Sequence, residues 1–189
     1  MKKNVLKGAA ASVILLTTLA FTTMKKEINI KESNVTWKGE KVTGSHTGTI
    51  NLKSGFFTME DEKLIGGEFV MDMTSINTTD LSGENKQKLE GHLKSEDFFG
   101  VEKHPNAKMV ITSIAEKGNG AYGVVGNLTI KNITKPVTFD LNMKENSANA
   151  KLTIDRSKFD VRYGSGSFFD NLGDKTIYDN FDLDVNLKF

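Results

Sequence analysis

The 189-residue chain contains no cysteine, only two prolines, one tryptophan and three tyrosines. Without cysteine there is no disulfide to staple a fold, no thiolate nucleophile, and no residue to carry a lipid anchor behind a leader. The fold has to rest on its own core. Arginine is nearly absent as well: Arg156 and Arg162 stand against 23 lysines. The formal charge is +1 and no basic run exists, so nucleic acid finds no electrostatic handle and is set aside as a partner. His46, His92 and His104 lie on separate segments with no metal-ligand spacing, so neither a metal nor a cofactor is expected. Nucleophilic catalysis lacks its parts too, since no G-x-S-x-G elbow is present and no serine sits beside a histidine in a familiar pattern. Gly164-Ser165-Gly166-Ser167 lacks the Lys-Ser/Thr and helix of a phosphate-cradling loop and reads as flexible backbone.

The N-terminus has the layout of a secretory leader. Lys2, Lys3 and Lys7 precede an uncharged apolar run of 14 residues, Gly8 to Phe21, followed by small residues and the charged Lys25-Lys26-Glu27. That run is short for a membrane span, for which about 20 residues are needed. The expectation is a cleaved signal over residues 1–23, one domain over 24–189 and a periplasmic or secreted protein with no integral membrane span. Loss of the three lysines takes the formal charge from +1 to −2.

Beyond the leader, period-2 alternation dominates, the mark of half-buried strands. In the last segment Phe181, Leu183, Val185, Leu187 and Phe189 alternate with Asp182, Asp184, Asn186 and Lys188. Val137–Lys144 and Ala148–Asp155 alternate as cleanly. Weaker alternation runs through Val35–Val42, Thr47–Ser54, Leu64–Thr74, Ala107–Ala115 and Tyr122–Lys131, which makes eight strands. Short turns are read at Lys53-Ser54-Gly55, Glu60-Asp61-Glu62, Lys117–Gly120 and Glu145-Asn146-Ser147, as antiparallel hairpins require. One helix is predicted over Glu84–Leu93, with Ser82 at its N-cap.

Eight such strands hide their apolar faces by closing into an antiparallel barrel, which also removes exposed edges. A barrel of that size is filled by side chains or holds one small ligand. The expected inward set is Ile50, Ile65, Phe69, Met71, Met73, Met109, Ile111, Leu128, Ile130, Phe139, Leu141 and Met143. Its methionines suit an irregular apolar partner, although a dry packed core accounts for the same residues.

The segment Leu89–Thr112, LEGHLKSEDFFGVEKHPNAKMVIT, places Phe98-Phe99 between an acidic pair and a polar loop. Leaving either ring in water forfeits about 1.5–3 kcal/mol of burial, so the segment is read as a plug over an apolar interior, between the third and fourth strands. Arg156 and Arg162 fall together in IDRSKFDVRYG. Two readings stand for them: a clamp for an anionic or carbonyl head group at the barrel mouth, or ion pairs with Asp155, Asp160 or Asp170. The aromatic C-terminus after an alternating strand also suits an outer-membrane barrel, but three tyrosines and one tryptophan are too few for two girdles.

Taken together, Trp37–Gly48 (W-x-G-x-K-x-x-G-x-H-x-G), Gly66–Asp80, Lys88–Met109, Gly126–Phe139 and IDRSKF resemble the YceI family over nearly the whole mature chain. The resemblance implies an exported, lipocalin-like eight-stranded barrel with no known catalytic residue, whose tunnel takes a long apolar chain. It implies that the inward residues Trp37, Ile50, Phe69, Met71, Met73, Met109, Ile111, Leu128, Phe139 and Leu141, with Phe98 and Phe99, touch an isoprenoid or fatty-acyl lipid; Arg156 and Arg162 join this set on the clamp reading. An enzyme acting on a lipid in the same cavity is the alternative, and it requires a polar, pKa-perturbed group facing inward, where the alternation places none. A homodimer is left open.

Overall fold

The computed structural model describes residues 22–189. The predicted leader lies outside the described residues apart from Thr22 and Thr23. The strands are β1 (Thr23–Glu27), β2 (Asn34–Lys41), β3 (Gly44–Glu60), β4 (Lys63–Thr78), β5 (Asn106–Gly118), β6 (Ala121–Ile130), β7 (Ile133–Lys144), β8 (Ser147–Asp155) and β9 (Ile177–Lys188), with α1 (Gly83–Lys94) between β4 and β5. Every pairing is antiparallel, and β3 pairs with both β2 and β4, so β2 to β9 close into an eight-stranded barrel. All three elements of the predicted architecture are present: the barrel, the helix and the plug between the third and fourth barrel strands.

A ninth strand was not legible in the sequence. β1 pairs with the far half of β3, Phe56 to Glu60, beyond the reach of β2. Its sequence TMKKE carries too little apolar alternation to read as a strand, yet Lys26 extends over the ring of Phe189, 4.4 Å from the centroid, and donates to the Glu145 carbonyl at 2.7 Å. The long stem covers apolar surface while its charge stays at the rim.

The predicted turn at Lys53-Ser54-Gly55 is instead a bulge inside a continuous strand of 17 residues. The register passes from Leu52↔Met71 to Ser54↔Val70, so one additional residue on β3 exchanges the inward and outward positions. Ile50 and Leu52 face in before it, Phe57 and Met59 after it. β4 carries a larger irregularity between Asn51↔Asp72 and Thr49↔Asn77. There the Asp72 carboxylate accepts from the Thr74 N–H at 3.0 Å and its hydroxyl at 2.6 Å, while Ser75 Oγ accepts from the Asn51 N–H at 2.8 Å. This stitching carries β4 four residues past its predicted end at Thr74 and turns Ile76 inward. Ile65, expected inside, is 46% exposed, because a third register shift between Thr58 and Met59 leaves it out of the pairing while Leu64 is buried.

Three hairpins use two-residue turns with both residues in the left-handed region, Asp61-Glu62, Asn119-Gly120 and Lys131-Asn132, as the twist of paired strands favours. The last of these starts β7 at Ile133, four residues before the predicted Val137. Pro136 had masked this stretch, since proline normally marks the end or edge of a strand.

Helix α1 buries none of its residues fully, and Ser82 at its N-cap makes no side-chain capping bond. Polar contacts with β4 hold it instead: Glu90 Oε1 accepts from the Thr78 N–H at 2.7 Å, and Lys86 Nζ donates to Asn77 Oδ1 at 2.8 Å. After α1 the chain folds back on itself, with N–H groups of Phe98 and Gly100 donating to the Ser95 carbonyl and Phe99 to that of Leu93. Gly100 adopts φ 56°, where a side chain would be strained.

Candidate functional site

The inward alternation of the eight barrel strands leaves a cavity of about 210 Å³ rather than a filled core. β2 supplies Val35, Trp37 and Gly39; β3 supplies Ile50, Leu52 and Phe57; β4 supplies Phe69, Met71, Met73 and Ile76. Ala107, Met109 and Ile111 of β5, Leu128 and Ile130 of β6, and Phe139 and Leu141 of β7 continue the wall. Ala150 and Leu152 of β8 and Phe181, Leu183, Val185 and Leu187 of β9 complete it. Water in such a space finds almost no polar partner, so an apolar occupant is favoured.

The Trp37 ring packs against Gly48, its partner across β2 and β3, and its Nε1–H donates to the Thr49 carbonyl at 3.2 Å. A Cβ on Gly48 would collide with that ring and with the Asn77 carbonyl, so glycine is required there. One end of the cavity is aromatic: Phe57 meets Phe69 and Phe189 edge to face, with centroids 5.1 and 5.6 Å apart. At the other end the plug closes over the barrel. Leu93, Phe98 and Phe99 all line the cavity. Phe98 is 6% exposed, its ring meets Phe99 edge to face at 5.0 Å, and Phe99 approaches Phe181 at 6.4 Å. His92 lies between Phe98, at 5.6 Å, and Tyr163, at 4.3 Å, which ties the helix to the loop after β8.

Arg156 is 2% exposed and lines the cavity next to the plug, 5.3 Å from the centroid of Phe98. A buried charge facing inward corrects the expectation that no polar group does so. Its guanidinium is largely occupied, donating to the carbonyls of Val161 at 2.8 Å, Ile177 at 3.0 Å and Tyr178 at 3.2 Å, with Asp179 Oδ1 3.4 Å away. Burial lowers its pKa, against the attraction of Asp179 and Asp155. The arrangement clamps the loop after β8 to the start of β9.

Every residue expected to touch the lipid except Arg162 is found on the cavity wall. Arg162 is exposed, paired with Asp160 through Nε and stacked over Phe168. It belongs to the surface of the loop, as the ion-pair reading had it, because a short 3-10 turn at Arg156–Phe159 reverses the chain between the two arginines. Met143 packs against the core without reaching the cavity. The sequence-derived site omitted Phe57 and Ile76, whose facing depends on bulges. It also omitted Phe181, Leu183, Val185 and Leu187, whose alternation was plain and sufficed to find them.

The outer wall is charged at its strand centres, with Lys108–Glu68 at 2.9 Å, Lys151–Asp184 at 3.4 Å and Thr153 donating to Asp182 at 2.6 Å. A membrane-spanning barrel carries an apolar band there. His46 pairs with Asp80 at 2.9 Å near the rim. Burial pushes the Asp80 carboxyl up, but hydrogen bonds from His46 and the Thr47 N–H outweigh it and hold the pKa below its ordinary value.

A YceI-like domain model matches residues 27–189. A UPF0312 protein of Shewanella denitrificans is 36% identical over 91 residues, 48% of this chain and 46% of that protein. In such matches the chain spans about half the length of the curated relatives. Among solved structures, BcnA of Burkholderia cenocepacia is similar with a TM-score of 0.65 at 21% identity, over 85% of this chain and 98% of that one. A polyisoprenoid-binding domain from Saccharophagus degradans implicated in plant cell wall breakdown reaches 0.62 at 13% identity, over 89% and 97%. At these identities the likeness is one of fold.

Proposed function

This chain belongs to the YceI-like family, and on that premise we propose that it is an exported, non-enzymatic carrier or sequestering protein for a long apolar isoprenoid or similar lipid. The observation that carries the reading is the cavity itself: an unfilled space inside the barrel whose wall is dominated by aliphatic, aromatic and methionine side chains. Each methylene moved from water into it contributes about 0.8 kcal/mol, so a long chain is held without a strong polar anchor. Among the described residues the one buried charge on the wall is Arg156, which already has carbonyls and Asp179 as partners and makes no demand on a head group. The name of the Saccharophagus domain points to the same ligand class.

Native mass spectrometry of the protein purified without detergent tests the reading. The expected result is a complex with a lipid, released unchanged on denaturation and replaceable by an added polyprenol. A protein that carries no lipid and takes up none would overturn it, and conversion of the bound lipid to product would overturn the non-enzymatic part. Export is tested by fractionating a cell expressing the full chain. The expected product is soluble, outside the cytoplasm, and has lost mass corresponding to cleavage near residue 23.

A further inference from the structure

We infer that the cavity opens sideways between β2 and β9 at Gly39, and that the missing side chain there sets whether a chain longer than the cavity can bind. The inference rests on the lipid-binding reading and adds the route and the length limit. Gly39 shares the inward face of Val35 and Trp37 and lies on the cavity wall, yet a Cβ built on it meets nothing within 4 Å. An inward position in a closed barrel ordinarily has neighbours within contact distance; here there is open space. The β2–β9 ladder is bulged at the same place. Gly39 pairs with Phe181, but the next pair is Lys41 with Ile177, so β9 carries Tyr178, Asp179 and Asn180 through the gap without partners on β2. The cavity wall reaches the surface there. Apart from Lys108, the exposed residues that border the cavity are Glu40, Tyr178 and Asn180, the outward neighbours of this gap. The gap is also fixed in place, because Arg156 holds the Ile177 and Tyr178 carbonyls from inside.

The backbone at Gly39 lies outside the left-handed region, so a side chain is accommodated without strain. The chain has no cysteine, which makes Gly39→Cys a single reactive thiol at the opening. The protein is stripped of lipid, and half is alkylated with N-ethylmaleimide. Both halves are then titrated with farnesol, a short chain, and with undecaprenol, a long one. Unlabelled Gly39→Cys is the reference against which the alkylated protein is read. The alkylated protein is expected to keep farnesol and to lose about tenfold or more in affinity for undecaprenol, at an unchanged melting temperature. Prior loading with undecaprenol is expected to slow alkylation; farnesol is not. Gly39→Leu, which needs no labelling, is expected to reproduce the length discrimination. Equal binding of undecaprenol by blocked and open proteins overturns the side opening while leaving the lipid-binding reading intact. A wild type that binds neither alcohol overturns both.

Discussion

Replacing Arg156 with methionine keeps an apolar stem of similar length and removes the guanidinium. The carbonyls of Val161, Ile177 and Tyr178 then lose donors at 2.8, 3.0 and 3.2 Å, and Asp179 loses the cation 3.4 Å from its Oδ1. That oxygen is buried and has no other hydrogen-bond partner. Hydrogen bonds to a charged group contribute about 1.5–3 kcal/mol each, but summing them overshoots, because the variant also escapes the desolvation of the guanidinium. Breaking a buried ion pair by removing one partner costs about 3–5 kcal/mol, and this is the expected loss. At about 2–4 °C per kcal/mol for a domain of this size, the melting temperature falls by roughly 6–20 °C. Arg156→Lys keeps the charge but cannot fork to three carbonyls, and about 2 kcal/mol or more of the loss is expected to remain. Arg156→Met with Asp179→Asn is expected to recover part of it, since no carboxylate is left uncompensated. Urea unfolding followed by the fluorescence of Trp37, the single tryptophan, reads all three variants. A loss below about 1 kcal/mol for Arg156→Met would refute the claim that this network anchors the loop. A second arm compares a prenyl phosphate with its parent hydrocarbon in wild type and Arg156→Lys. An unchanged affinity ratio is expected; a selective loss for the phosphate would return Arg156 to the head-group clamp.

The two plug phenylalanines should separate. Phe98→Ala removes a ring that is 6% exposed and is expected to cost about 3–5 kcal/mol in urea unfolding, whereas the half-buried Phe99 costs less and its loss is seen first as faster lipid release. Equal stability loss and unaltered release in both would show that the pair only packs. Gly48→Ala forces a Cβ into the Trp37 ring and the Asn77 carbonyl, and Trp37→Leu added to it should restore stability only in part because the backbone clash remains. Asp80 and Asp155 have pKa values below the ordinary 3.8; in each, burial pushes upward and is outweighed by hydrogen bonds, from His46 and Thr47 at the first and from both polar groups of Ser157 at the second. Groups lowered by folding stabilise fully above their unfolded pKa, so this contribution is present above about pH 4 and is lost as pH falls through the folded values. Urea unfolding between about pH 2 and 6 should show that decline, shallower in Asp155→Asn.

Period-2 alternation by itself determined the barrel and most of its wall, because a strand with one apolar face has few ways to bury it and eight of them close on themselves. A second local signal made Phe98 and Phe99 part of a plug, since two adjacent rings in a polar loop have to find an apolar space. What alternation cannot report is where its own phase changes. The bulges at Lys53, after Asp72 and at Ile65 change which residues face inward, and they are set by register against neighbouring strands far away in sequence. Phe57, Ile76 and Ile65 were therefore out of reach of the sequence. β1 escaped for a related reason, its pairing being decided by the free edge of β3 rather than by its own residues. The two arginines, six positions apart in one motif, were alike to any local reading. Only the reversal of the chain after β8 buries Arg156 against the carbonyls of β9 and leaves Arg162 in water, because burial of a charge is decided by which partners the whole fold brings to it.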